Sequence, residues 1–391
     1  MCVNIGHGNK RVIKAIQDQA AELCYAGPSM ATKVRAEFGP LLSKYTPGDL
    51  KKFFFTLGGA EANENAIKMA RFHTGRNKII ARYRSYHGAT HGAIQLTGDP
   101  RRWPNEPGMG GVIRAFDPYM YRSHLYQEGM PEEEFSAKCL QQLEETIMYE
   151  GPQNIAAMFI ETVTGTNGII PPPAGYLPGL RKLLDKYGIL LVCDEVMCGL
   201  GRTGAWFAVD HWNVVPDIIT MAKGITSAYV PLGVVAVSKK IAATFDDRVY
   251  SGGLTYSGHP LSLACANETI RVMEDEKLVE NAREMGKVMK DLHQQMKAKH
   301  KSVGDVRSIG LFGAIELVKN RKTKEPLVPF GGSAPVAGKI ANYFRDNGIY
   351  VHLAGHLLLT NPPLCINKKQ LEETFEVIDR ALDIADEVYQ E

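Results

Sequence analysis

The stretch LLVCDEVMCGLGRTG, from Leu190 to Gly204, begins as an apolar run and ends as a glycine-broken loop. Two adjacent acids, Asp194 and Glu195, stand where the pattern changes. The apolar run predicts a buried strand, and an acid buried at its end is costly unless a cation or several hydrogen-bond donors meet it. A partner for these acids must therefore be sought elsewhere in the chain.

Similar apolar runs occur on both sides of this stretch, and helical patterns separate most of them. The predicted strands are residues 53–56, 78–83, 155–161, 189–195, 217–222 and 234–238. Alternation of strands and helices is typical of a mainly parallel sheet that is covered by helices on both faces. We therefore expect an α/β fold.

The pattern changes after about residue 260, where long helices replace the alternation. The expected elements there are a strand pair over 306–317, a helix near 335–347, strands near 349–360 and a helix from 368. This predicts a small C-terminal α+β domain over 271–391, a large domain over 29–270, and an N-terminal remnant over 1–28 that packs with the small domain. Because the chain starts abruptly, we also expect that an N-terminal segment is missing.

Composition excludes several classes of function. The 391 residues are 45% hydrophobic and 23% charged, with a net charge of +2 and no basic stripe for nucleic acid. No apolar run reaches the roughly 18 residues that a membrane span needs. The seven cysteines are an odd number within apolar runs, which indicates reduced core thiols and a cytoplasmic location. Cys193 and Cys198 lack a CxxC or Cys/His pattern, so no metal site is expected.

Ligands of open parallel sheets bind at the carboxyl ends of the strands, so residues at those ends are the candidates. Gly59 and Ala60 lead from the first strand into a helix, where free N–H groups could bind phosphate, although a plain turn would look the same. Tyr86 and His87 follow the second strand. The Tyr86 ring could stack on a planar ligand, or both residues could simply pack in a loop.

The next three strands end in ionisable residues. Glu161 ends one strand, Asp194 and Glu195 the next, and Lys223 follows the last of them. We interpret Glu195 as a structural acid paired with Arg202. Taken alone, Lys223 reads as a solvated surface lysine, but between a buried strand and a glycine it would be a desolvated nucleophile.

These residues together suit one cofactor, pyridoxal 5′-phosphate. It requires a lysine for its covalent attachment, an acid for its ring nitrogen, an anion site for its phosphate and an aromatic contact for its ring. The cation opposite Asp194 would then be the protonated ring of the bound cofactor.

The chain closely resembles the class III, or ω-amino acid, aminotransferases of fold type I. The motifs GGAEANENAIKMAR, YHG, PDIITMAKGI, TYSGHPLS and NPPL occur in the order of that family, over nearly the whole chain. The resemblance implies a large domain on a mainly parallel seven-stranded sheet and a small α+β domain. KGITSAYVPLG looks most like the taurine and β-alanine:pyruvate branch.

The resemblance also implies roles for individual residues. Lys223 and Asp194 would be catalytic, and Thr255 would reach the phosphate from the other subunit of an obligate homodimer, possibly within a tetramer. The cofactor-binding set would be Gly59, Ala60, Tyr86, His87, Glu161, Asp194, Val196, Lys223 and Thr255.

Departures from the family pattern concern the substrate. Where relatives place an arginine for the substrate carboxylate, this chain has His352 or Leu359, and a polar Thr162 replaces the usual proline. Tyr86, Thr166 and His352 are the predicted substrate-pocket residues. We expect a small ω-amino acid or amine of the taurine or β-alanine type as donor and a 2-oxo acid, pyruvate giving alanine, as acceptor. An isomerase on the same fold, such as an aminomutase or racemase, and a non-catalytic phosphate-ligand-binding relative are the alternatives.

Overall fold

A seven-stranded sheet forms the centre of the large N-terminal part in the computed structural model, which describes residues 1–391. Its order is β1-β7-β6-β5-β4-β2-β3, and only β7 runs antiparallel to its neighbours. The strands are β1 (Lys52–Thr56), β2 (Lys78–Arg82), β3 (Val112–Ala115), β4 (Ile155–Glu161), β5 (Leu190–Asp194), β6 (Ile218–Met221) and β7 (Gly233–Val237). The mainly parallel seven-stranded sheet is thus confirmed.

Both faces of this sheet are buried, because alternate residues of its central strands join different apolar clusters. Met158 and Leu191 pack into the larger cluster, whereas Phe159 and Val192 pack into a second one with residues of the helix after β1. Every residue of β4 and β5 is buried. This explains why these strands read as continuous apolar runs.

Helices cover the two faces of the sheet. They are α1 (Lys10–Glu22), α2 (Lys33–Ser43), α3 (Gly59–Thr74), α4 (His91–Leu96), α5 (Glu132–Glu150), α6 (Tyr176–Tyr187), α7 (Lys239–Ala243) and α8 (Pro260–Asp275). The end of α3 is marked by Gly75, whose φ of 69° satisfies a left-handed C-terminal cap. The predicted domain boundary near 270 lies within α8, and the division into domains stays a prediction.

The C-terminal part contains a second, antiparallel sheet of five strands with helices packed on it. Its elements are α9 (Leu278–Lys299), β8 (Val303–Ile309), β9 (Phe312–Asn320), β10 (Glu325–Pro326), α10 (Pro335–Asp346), β11 (His352–Ala354), β12 (Leu357–Thr360) and α11 (Lys368–Asp386). The strand pair and the two helices predicted here are all present. No helix of the chain combines the length and the apolar character that crossing a bilayer requires.

All seven cysteines are free, but they are not all in the core. Cys193, Cys198 and Cys265 are buried, whereas Cys24 and Cys365 are exposed. The prediction of core thiols was wrong for these two, because they lie in connections beyond α1 and β12 and not inside helices or strands.

Candidate active site

A cavity of about 570 Å³ opens where β4, β5 and β6 end. Its walls include most of the residues that the sequence singled out. Those residues are Gly59, Ala60, Tyr86, His87, Glu161, Thr166, Asp194, Val196 and Lys223. The carboxyl edge of the sheet thus gathers side chains that are far apart in the chain.

One wall of the cavity is the N-terminus of α3. Gly58 offers no side chain to cap it, so the first N–H groups of the helix are free for an anion. There is no room for a side chain at the first residue of α3, because a Cβ on Gly59 would lie 2.9 Å from the methyl carbons of Val196. A Cβ on Gly88, whose φ is +139°, would lie 2.5 Å from the Ala60 Cβ.

Asp194 is only 3% exposed and is held by three donors. Its Oδ2 accepts from Asn63 Nδ2 at 2.7 Å and lies 2.8 Å from His87 Nδ1, and its Oδ1 accepts from the Val196 N–H at 3.0 Å. Thr220 in turn donates to Asn63 Oδ1 at 2.8 Å. Oδ1 keeps capacity for another donor, as a protonated cofactor ring would require.

Lys223 follows β6 directly and lines the cavity with an unusual backbone conformation. Its φ is +46°, which is uncommon for a residue with a Cβ. The next residue, Gly224, lies so close to the Asn4 side chain that a Cβ there would collide with it. The surrounding packing therefore fixes the backbone from which the Lys223 amine extends.

Glu161 ends β4 and ties two loops to the sheet. Its Oε1 accepts from the Tyr86 N–H at 3.0 Å, and its Oε2 accepts from the Gly165 N–H at 2.9 Å. Burial raises the pKa of Glu161 to about 7, the nearby Asp194 adds to this, and His87 and the two N–H donors oppose it. The side chain therefore positions Tyr86 and the loop that carries Thr166.

The predicted Glu195–Arg202 ion pair was wrong. The carboxylate of Glu195 accepts from Thr162 Oγ1 at 2.7 Å and from the N–H groups of Ala208 and Val209 at 2.8 and 3.0 Å. These donors satisfy the buried acid without a cation.

The side chain of Arg202 points instead towards the N-terminal and C-terminal segments. It donates to the carbonyls of Leu311 and Pro362 and to Asn4 Oδ1. The Arg202 guanidinium therefore joins the loop after β5 to residues near both ends of the chain.

Two further predicted residues lie outside the cavity. His352 lines a neighbouring cavity of about 470 Å³ with Leu359, and burial together with nearby positive charge, that of Arg101 included, lowers its pKa. Thr255 is exposed in the connection before α8, where its carbonyl accepts from Tyr25 Oη at 2.7 Å. Contact of Thr255 with a partner's cofactor stays a prediction.

Asn63 and Arg101 are among the polar residues of the cavity that were missed from the sequence. Asn63 lies four residues after Gly59 on α3, a spacing that could have placed it over the same strand ends. Nothing in the stretch DPRRWPN distinguishes Arg101 from Arg102, so the sequence held no signal that Arg101 would line the cavity.

Comparison with known proteins gives the family. The profile of Aminotransferase class-III matches residues 1–382. The chain belongs to the class III aminotransferases. As a member of this family it is a pyridoxal phosphate-dependent transaminase, which moves an amino group from an amine to a 2-oxo acid.

Characterised class III aminotransferases resemble the chain along almost all of its length. A putrescine–pyruvate aminotransferase of Pseudomonas aeruginosa is 33% identical over 98% of this chain and 84% of its own. A taurine–pyruvate aminotransferase of Bilophila wadsworthia is 34% identical over 99% and 87%. The structure of a taurine:2-oxoglutarate aminotransferase from Bifidobacterium kashiwanohense, in complex with PLP and glutamate, matches with a TM-score of 0.95 and 41% identity over 99% and 87%.

Proposed function

We propose that this transaminase takes the amino group of a small ω-amino acid or ω-aminosulfonate, of the β-alanine or taurine type, and transfers it to a 2-oxo acid, with pyruvate as the acceptor. The observation that carries the proposal is that Lys223, Asp194 and the uncapped N-terminus of α3 face one cavity. The relatives that are named for taurine support the choice of donor.

The residues of the cavity divide the work of holding the cofactor. The N–H groups of Gly59 and Ala60 would bind its phosphate, and Tyr86 and Val196 would contact its ring. The Asp194 carboxylate would accept a hydrogen bond from the protonated ring nitrogen, while Asn63 and His87 fix its orientation. Pyridoxal phosphate, when bound, supplies an electron sink that stabilises negative charge on the donor carbon.

Lys223 has two roles in this proposal. Its amine would hold the cofactor covalently and would be free to act on the donor once the donor amine is bound. The free Nζ then removes the proton from the amine-bearing carbon of the donor as a base, and it returns a proton as an acid.

The visible absorbance of purified protein tests the assignment of Lys223. We expect wild-type protein with pyridoxal phosphate to show the absorbance of covalently attached cofactor, and Lys223→Ala to lose both this absorbance and turnover. Lys239→Ala, at the exposed start of α7, is the matched control and should retain both. Wild-type absorbance in Lys223→Ala would contradict the assignment.

The requirement for an acceptor separates the transaminase from an isomerase on the same scaffold. A transaminase consumes one 2-oxo acid for each donor, whereas an aminomutase or racemase turns over without one. Alanine formed in proportion to the β-alanine or taurine consumed would support the proposal. Turnover without pyruvate or another 2-oxo acid would reject it.

A further inference from the structure

Arg101 stands in the cavity beside the predicted pocket residues. Its guanidinium carbon lies 3.7 Å from the centre of the Tyr86 ring, and its Nη2 donates to Thr166 Oγ1 at 3.2 Å. Lys223 is the only other lysine or arginine among the residues that line this cavity. Since the Lys223 amine is assigned to the cofactor, Arg101 is left as the permanent positive charge of the site.

The guanidinium of Arg101 is held on one edge and open on the other. Asp99 accepts from its Nε at 3.0 Å and also from its Nη2, while Nη1 makes no hydrogen bond. The Arg101 side chain is 49% exposed. Both N–H groups of Nη1 are therefore free on an oriented guanidinium and can donate a charge-assisted hydrogen bond to a carboxylate or sulfonate oxygen.

The residues at the positions of the family's usual arginine cannot bind the acid group of a substrate in this cavity. Leu359 is apolar and 3% exposed, and His352 lines the neighbouring cavity. Burial and the positive charge around it, that of Arg101 included, lower the pKa of His352 and so disfavour its charged form. Apart from Lys223, Arg101 is therefore the one lysine or arginine that an acid group meets when it enters the cofactor cavity.

Resting on the proposed function, we propose that Arg101 binds the acid group of the amine donor and selects acid-terminated donors over diamines. The second ammonium of a diamine would face the guanidinium, and like charges at short range repel. The charge of Asp99 weakens this repulsion without removing it, because Asp99 is 3% exposed and lies on the Nε and Nη2 edge of the guanidinium, away from the open Nη1.

The test compares donors of similar length that differ in their far end. The donors are β-alanine, taurine, propylamine and 1,3-diaminopropane, and the enzymes are the wild-type, Arg101→Gln and Arg101→Lys holoenzymes. For each pair, the loss of the absorbance of the bound cofactor is followed in a single turnover. In Arg101→Gln, we expect kcat/KM for the two acids to fall roughly 10- to 100-fold, as for a lost charged hydrogen bond. The kcat/KM for propylamine should change by less than about 3-fold, and the kcat/KM for 1,3-diaminopropane should rise.

Control variants separate acid binding from general damage. Arg84→Gln removes an arginine that also lies over a tyrosine, 5.2 Å from the ring centre of Tyr119, but outside the cavity. Arg84→Gln should leave kcat/KM unchanged for all four donors. Arg101→Lys keeps the charge without the planar fork, so it should recover part of the activity with acids.

Binding of unreactive acids gives a second readout. By titration calorimetry, propanoate and ethanesulfonate should bind Arg101→Gln holoenzyme roughly 10-fold more weakly or worse than wild type. Equal losses with β-alanine and propylamine, unchanged acid binding, or a wild type that prefers 1,3-diaminopropane would overturn the role of Arg101. No absorbance change with any of the four amines in wild type would reject the proposed function instead, and the calorimetry would still decide on Arg101.

Discussion

Glu161 shows how one buried acid can serve both architecture and electrostatics. It is 5% exposed and has two backbone donors but no cationic partner in hydrogen-bond contact. Burial therefore dominates, and the pKa rises from 4.5 to about 7. The folded protein holds this proton more tightly than the unfolded chain does.

Stability should depend on pH through Glu161. Because its pKa is raised in the folded state, the free energy of unfolding should fall as pH rises from about 4.5 through about 7. The size of the effect is at most on the order of 3 kcal/mol. Denaturant unfolding at several pH values should show a flatter dependence for Glu161→Gln than for wild type, even if the substitution adds a constant cost.

Glu22, an exposed residue at the end of α1, provides the control for this measurement. Glu22→Gln should keep the wild-type dependence on pH. A wild-type slope retained by Glu161→Gln would show that another group carries the proton linkage.

At the scale of single residues, the sequence predicted those that stand directly at strand ends. Asp194 and Lys223 lie where the apolar runs stop, so strand periodicity alone brought them to one edge. Arg101 was not predictable, because its place depends on the path of a long loop and on the Asp99 contact. Arg202 was misassigned because its carbonyl partners, Leu311 and Pro362, lie more than a hundred residues away.

At the scale of elements, the first turn of α3 depends on the loop that crosses it. Gly88 follows Tyr86 and His87, and its backbone passes close to Ala60. A residue with a Cβ at position 88 would strain the backbone at φ +139° and push on that turn. The N-terminal N–H groups and the ring-stacking residue are therefore coupled through one glycine.

Gly88→Ala should weaken cofactor binding. A Cβ 2.5 Å from the Ala60 Cβ must displace the start of α3, so we expect the Kd for pyridoxal phosphate to rise roughly 10-fold or more. Equilibrium dialysis of the cofactor measures it. Gly75→Ala, at the other end of the same helix with φ +69° and nothing within 4 Å of its Cβ, should cost stability but leave the Kd unchanged.

Within the seven-stranded sheet, β3 is the one strand that apolar runs did not reveal. It has only four residues, occupies the edge of the sheet and is partly exposed. An edge strand packs less surface than a central one, so its sequence carries a weaker signal. The five central strands were predicted because burial on both faces demands continuous apolar sequence, and the partly buried edge strand β1 was predicted from its three phenylalanines.

At the scale of the whole molecule, the predicted phosphate site depends on a loop that lies at the surface of the single chain. Thr255 stands exposed on the surface near Tyr256, which is 54% exposed. In the homodimer that the family resemblance implies, the loop that carries Thr255 would close the partner's phosphate site. Each active site would then require two chains.

Complementation tests this sharing of the site. Lys223→Ala and Thr255→Glu should each be inactive alone, the second because a carboxylate would repel the cofactor phosphate. When the two variants are produced together, random pairing should give about a quarter of the sites an intact Lys223 and an intact Thr255, and activity should return. Activity that stays absent in purified mixed dimers, or Thr255→Glu protein that is fully active alone, would contradict a shared site.

The pairing of β1 with β7 alone has a consequence for the order of folding. β1 lies at the edge of the sheet and pairs only with β7, from Lys52↔Val237 to Thr56↔Gly233. The helix that starts three residues after β1 is therefore held in place by a strand made much later in synthesis. Such a non-local contact is slow to form. During translation, the growing chain should gain its affinity for the phosphate of the cofactor only after β7 has left the ribosome and docked.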